Sequence, residues 1–198
     1  MLAFVINAVK ESNPMWRNTR SGWGLTSILF HWLSAVVIVG LFLLGWWMVD
    51  LGYFDPWYNR APWWHRSIGM LLLFALLLRI LWRLVQPTPA AQGSRWEKLA
   101  AHAGHIGLYV LMLVVVVSGY LISTARGRGV NVFDWFEVPA LISHLPNQAS
   151  IAGDIHWYSA LALMILAAGH ALAALKHHFV DRHDTLVRIL NPAHSRRR

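Results

Sequence analysis

Four stretches of the chain, Leu25–Val49, Ser67–Leu78, Ile106–Ala125 and Ile155–Leu175, carry long apolar runs with no acidic or basic side chain. A hydrocarbon core of ~30 Å is crossed by ~20 apolar residues of α-helix. Three of the runs meet that length directly. The second reaches it over Trp63–Val85 if Arg66 lies at one interface and Arg79 and Arg83 snorkel at the other. The pattern therefore predicts an all-α, integral membrane, up-down bundle of four helices, at about 25–49, 63–85, 102–125 and 154–178. The whole chain, 1–198, is then one transmembrane domain.

Polar punctuation sets the connections. QPTPAAQGS, with two prolines and a glycine, stops the second helix and makes a tight turn. The loop before the fourth helix is longer. Within it VFDWFEVPALI reads as a short helix lying on the membrane surface. The apolar start MLAFVINAVK lacks a basic n-region and a cleavage site, so it reads as an interfacial segment ending before Pro14 rather than a signal peptide. Trp46, Trp47, Trp57, Trp63 and Trp64 cluster where an aromatic belt would meet the headgroups.

Charge fixes the orientation. With both termini on one side, that side receives 13 Lys and Arg against Glu11, Glu97, Asp181 and Asp184. The other side receives Arg60, Arg66, Arg126 and Arg128 against five acids. The positive-inside rule places both termini in the cytoplasm. The net charge of +8 then reflects topology and attraction to anionic lipid, not nucleic-acid binding. The chain has no cysteine, which excludes disulfides, iron–sulfur clusters, thiolate metal sites and thioether-linked haem.

Eleven histidines remain to be explained, and depth sorts them. His156 and His170 are fourteen residues apart, a rise of ~21 Å that returns to within ~40° of the same helix face. One therefore points into the bundle near each membrane surface. His31 lies about two turns inside the first helix, at the depth of His170. His65 opens the second helix at the depth of His156. The pairs His31 with His170 and His65 with His156 suit two stacked b-type haems, each held by two axial imidazoles without a covalent link. Polar residues hydrogen-bonded between helices are one alternative. A proton or metal-ion path is another, but it calls for carboxylates at mid-membrane, and the four helices have none inside. His102 and His105, at the cytoplasmic start of the third helix, compete with His31 as ligands; otherwise they meet the interface, haem propionates or a quinone. His144, His183 and His194 read as solvated.

SILFHWLSA, HRSIGMLLLFALLLRILWR leading to QPTP, AHAGHIGLYVLMLVVVVSGY, GDIHWYSALALMILAAGHALAALKHHF and DTLVRILNP occur in this order. Together they resemble the bacterial cytochrome b561 family, diheme four-helix cytochromes related to the cytochrome b subunits of nickel–iron hydrogenases. The resemblance runs from about Gly24 to Pro192. It implies haem ligation by His31 and His170 on the cytoplasmic side and by His65 and His156 on the exoplasmic side. Superoxide oxidase-like members are the nearest in pattern. They imply oxidation of superoxide at the outer haem and delivery of the electron through the inner haem to ubiquinone, with His177 at the quinone. His177 is seven residues past His170, on the same face and two turns nearer the cytoplasm, where an imidazole can protonate a quinone oxygen. Arg126 and Arg128 of STARGRG then either steer superoxide to the outer haem or pair haem propionates and lipid phosphates, and Arg60 and Arg66 fit the same roles. The alternative to an oxidase is a subunit that relays electrons between a periplasmic dehydrogenase or hydrogenase and the quinone pool. The long N-terminal arm and the long loop between helices 1 and 2 leave room for such a partner.

Overall fold

The computed structural model describes residues 15–192. Helix α1 spans Leu25–Met48, α2 Arg60–Val85, α3 Arg95–Thr124 and α4 Gln148–Phe179; a short α5, Thr185–Leu190, follows. All four long helices are apolar and long enough to cross a membrane. They form a four-helix bundle in which α3 packs most extensively along α4 and α1 along α2. We call the end where α1 begins and α4 ends the near end, and the opposite one the far end.

The bundle turns its large apolar side chains outward. Leu33, Leu43, Ile165 and Leu172 are each more than half exposed, an arrangement that only a lipid solvent makes favourable. Inside, Leu72, Leu76, Met112, Val116 and Leu163 from α2, α3 and α4 form a small apolar core. Ser34 and Ser118 donate back to the carbonyls of Phe30 and Val114, at 2.6 Å each, so neither buries an unsatisfied hydroxyl.

Helices α2, α3 and α4 begin before their apolar runs do. α3 begins seven residues before the expected 102, because Ser94 and Glu97 form a capping box: Glu97 N–H donates to Ser94 Oγ and Ser94 N–H to Glu97 Oε2. α1 is capped from a distance. Asn18 Oδ1 accepts from Gly24 N–H at 3.0 Å and from Ser27 Oγ at 2.7 Å, while Asn18 Nδ2 donates to the Pro87 carbonyl. α4 starts at Gln148, six residues before the expected 154, after Asn147 in the left-handed region. The interfacial segment expected before Pro14, and His194, lie outside the described residues.

The long loop corrects one expectation. VFDWFEVPALI is not a surface helix; its first part belongs to an antiparallel hairpin of β1, Val130–Val132, and β2, Phe136–Val138. Phe133 and Asp134 both take positive φ, and Asn131 and Asp134 hydrogen-bond through their side chains and backbone, which closes the turn. Val130 and Val132 then bury against Met70 of α2. Ser67, fully buried on α2, accepts from Phe133 N–H at 3.1 Å and so anchors the hairpin over the far end. In β1 the two valines turn inward and Asn131 outward, the period-two alternation of a strand that buries one face.

Candidate functional site

α4 is the common post of two histidine pairs. At the near end His31 of α1 faces His170, with ring centroids 6.2 Å apart. At the far end His65 of α2 faces His156, with centroids 6.0 Å apart. A metal–nitrogen bond of ~2.0 Å, plus about 1.2 Å from nitrogen to ring centre, puts the centroids of two imidazoles on opposite sides of one metal ~6.4 Å apart. Both pairs match that spacing.

The far-end pair borders a cavity of about 620 Å³, within the size range of ligand and cofactor sites. Met112 and Leu163 line its depth and Arg66 and Tyr58 its rim. Two glycines let the rings approach their neighbouring helices. A Cβ at Gly45 would lie 3.1 Å from His65 Cε1, and one at Gly119 would lie 3.0 Å from His156 Cε1. The His156 ring is also oriented: Nδ1 donates to the Val115 carbonyl at 2.8 Å, with Ser118 Oγ 3.3 Å away. With the proton on Nδ1, the lone pair on Nε2 is free to bind a metal, the usual way a protein sets the tautomer of a ligating histidine. Spacing, cavity, glycine relief and tautomer all fit a haem held by two imidazoles.

The near-end pair has a cationic neighbour that the hydropathy pattern had placed at the interface. Arg79 does not snorkel outward. Its guanidinium turns into the bundle, donating from Nε to Tyr109 Oη at 3.0 Å and from Nη1 to the Phe30 carbonyl at 3.2 Å, with Nη2 3.5 Å from His31 Nδ1. Tyr109 draws it in, its ring 5.3 Å from Arg79 Cζ and 5.5 Å from Arg83 Cζ. His105 reaches the same region, with its ring 5.2 Å from that of His170. That separation is shorter than two ligands on opposite sides of one metal require, whereas the His31–His170 spacing fits. His102 is exposed.

Seven residues past His170, His177 sits where α4 leaves the bundle. Its Nδ1 donates to Asp181 Oδ2 at 2.6 Å, and its ring stacks on His183 at 5.7 Å. Asp181 also accepts from Lys176 Nζ at 2.8 Å. These hydrogen bonds, the one from Lys176 first, hold the Asp181 carboxyl below the ordinary carboxylate range. His183, expected to be solvated, is instead part of this cluster. Arg126 and Arg128 lie exposed between α3 and the hairpin at the far end; of the arginines there, Arg66 is the one that lines the cavity.

Gly45, Gly119, Arg79 and Asp181 were not identified as site residues from the sequence. Only Asp181 carried a usable signal, a carboxylate four residues past a histidine at a helix end.

Residues 22–192 match the family model described as prokaryotic cytochrome b561. "Cytochrome b561 homolog 2" of Escherichia coli K12 is 47% identical over 180 residues, covering 90% of this chain and 96% of the relative. "Probable superoxide oxidase CybB" of Yersinia pestis is 28% identical over 169 residues, covering 81% and 90%. "Cytochrome b562" of Cereibacter sphaeroides is 29% identical over 176 residues, covering 86% and 96%.

Proposed function

Since the chain belongs to the prokaryotic cytochrome b561 family of membrane electron-transfer proteins, we propose that it carries two haems b, one on His31 and His170 and one on His65 and His156. The observation that carries this reading is the ring separation of 6.2 and 6.0 Å in two pairs that share α4. Bound there, the haems supply one-electron redox centres stacked across the membrane. The near end faces the cytoplasm of the inner membrane and the far end the periplasm, as the basic residues indicate.

The donor is superoxide at the far end, and the acceptor is ubiquinone at the near end beside His177. In balance, two superoxide ions, one quinone and two protons give two molecules of oxygen and one quinol. The protein's own part is placement. Arg66 at the cavity rim, with Arg126 and Arg128 exposed at the same end, attracts an anion toward the far-end pair. The apolar core of Leu72, Leu76, Met112 and Val116 keeps water from the path between the pairs. Support for superoxide comes from the likeness to the Yersinia protein, and the name of the 47% identical relative specifies no donor.

One observation favours a second donor. Phe54 projects almost fully exposed, and Trp135 three-quarters exposed at 75%, from the two far-end loops, as a docking rim for a periplasmic redox protein would. The test separates the readings. Purified protein mixed with superoxide shows haem reduction close to the diffusion limit, slowed by salt and by Arg66→Gln, if superoxide is the donor. Slow, salt-insensitive reduction refutes the oxidase and leaves the relay. A purified protein without a reduced-minus-oxidised b-type spectrum refutes both.

A further inference from the structure

Beyond the last turn of α4 the chain folds back on itself. Val180 N–H and Asp181 N–H both return to the Lys176 carbonyl, Arg182 takes a φ of 55°, and His183 N–H closes on the His177 carbonyl at 2.8 Å. This turn carries Asp181 beneath His177, where the Nδ1–Oδ2 contact of 2.6 Å is short for a nitrogen donor, as in charge-assisted bonds. An ionised carboxylate only accepts, so the His177 proton shared with it must sit on Nδ1. Neutral His177 then carries its lone pair on Nε2, and protonated His177 has one further proton to give, from Nε2. His183 covers one face of the ring.

The carboxylate is itself fixed. Lys176 Nζ bridges Asp181 Oδ2 at 2.8 Å and Glu97 Oε1 of α3 at 3.1 Å. On the α5 side, Asp184 precedes the helix, and Arg188 donates to the Ala90 carbonyl at 3.1 Å. His177, Asp181 and His183 bring their ligating atoms within 4.8 Å of one another, the spacing of a metal site. A dication there would lie beside the Lys176 ammonium, however, and would have to break the hydrogen bond between two of its own ligands. The cluster is better suited to hold a proton than a metal.

We propose that Asp181 is the positioning residue of a proton relay in which His177 donates its Nε2 proton to an oxygen of the quinone reduced at the near end. This rests on the reading above that places the quinone beside His177. A quinone becomes a quinol by gaining two electrons and two protons. The electrons arrive from the far-end donor through the protein, and the protons come from water on the near side. His177 gives its Nε2 proton to the quinone oxygen, and the Nε2–H bond is then restored from that water. Asp181 stays ionised throughout and keeps Nδ1 protonated, so that Nε2 is the nitrogen that cycles.

The experiment follows reoxidation of the reduced, full-length holoprotein by a short-chain ubiquinone between roughly pH 5.5 and 9. His177→Ala is expected to slow it by roughly 100-fold, the scale of a lost general acid. Asp181→Asn is expected to slow it about tenfold at neutral pH, as loss of an orienting partner does, and to alter the pH profile of the rate. Asp181→Glu keeps a carboxylate and is expected to retain the wild-type profile. It carries the test alone if Asp181→Asn loses its haem, and an altered profile in Asp181→Glu then overturns the relay. Wild-type speed in His177→Ala sinks the quinone reading itself. A slow His177→Ala beside an Asp181→Asn with the wild-type rate and profile overturns the relay alone. A slowing of Asp181→Asn that is equal at every pH and unrelieved in Asp181→Glu marks a packing role and overturns it too.

Discussion

Replacing Gly119 by alanine separates haem binding from folding, because metal coordination tolerates less displacement of the His156 ring than the fold does. In a helix interior the change is favourable by up to ~1 kcal/mol. Here the new Cβ would stand 3.0 Å from His156 Cε1 and 3.2 Å from its Nδ1. Apolar carbon contacts settle at ~3.5–4.0 Å, so the ring must retreat by ~0.5 Å. Coordination geometry tolerates about 0.2 Å. The retreat also strains the 2.8 Å bond from Nδ1 to the Val115 carbonyl, which contributes ~0.5–1.5 kcal/mol. Together these predict a loss of at least ~1.4 kcal/mol of far-end haem affinity, or tenfold. The assay is haem content per chain by extraction, with reduced-minus-oxidised spectra and thermal unfolding of the apoprotein. Gly119→Ala should hold its far-end haem about tenfold more weakly, with an altered spectrum, while its apoprotein stays within ~1 kcal/mol of wild type. Gly40→Ala, with nothing within 4 Å of its added Cβ and an exposed position on α1, should change neither. Two haems with unaltered spectra in Gly119→Ala would refute the placement of the far-end site.

Further expectations concern the near end. His31→Ala should remove one haem while His105→Ala retains two, since only the His31–His170 separation fits ligands on opposite sides of one metal; the reverse pattern in haem content would reassign the ligand. Arg79→Gln should lower one of two midpoint potentials in a redox titration by on the order of 50–100 mV, the equivalent of the ~2 kcal/mol that a unit charge exerts over ~8 Å at an effective dielectric of ~20. Arg79→Lys should move it less, and an unchanged titration in Arg79→Gln would show the charge to be screened. The Asp181 carboxyl is held low, chiefly by Lys176 and then by His177, so what it contributes is complete above the ordinary carboxylate range and is lost as pH falls through the lowered value. Hydrogen exchange at Asp181 and His183 should therefore stay flat, after correction for intrinsic rates, from about pH 8 to 5 and rise only in stronger acid.

Much of this molecule is local physics and so is legible in the chain. Apolar runs of spanning length specify the four helices, because a backbone in hydrocarbon has no partner but itself. The helical period and the fourteen residues between His156 and His170 place two rings on one face at two depths. The reversal of direction between helices then selects His31 and His65 as their partners. What the tertiary structure decided are the features made by residues distant in sequence. Ser67 on α2 binds the backbone of residue 133 and, with Met70, gives VFDWFEV a reason to be a hairpin. Tyr109 on α3 and the Phe30 carbonyl on α1 turn Arg79 inward, where hydropathy alone sends an arginine to the interface. Gly45 and Gly119 look like any helix glycines until His65 and His156 are set against them. Periodicity determines which face and depth a side chain occupies, but only the packed bundle determines what it meets there.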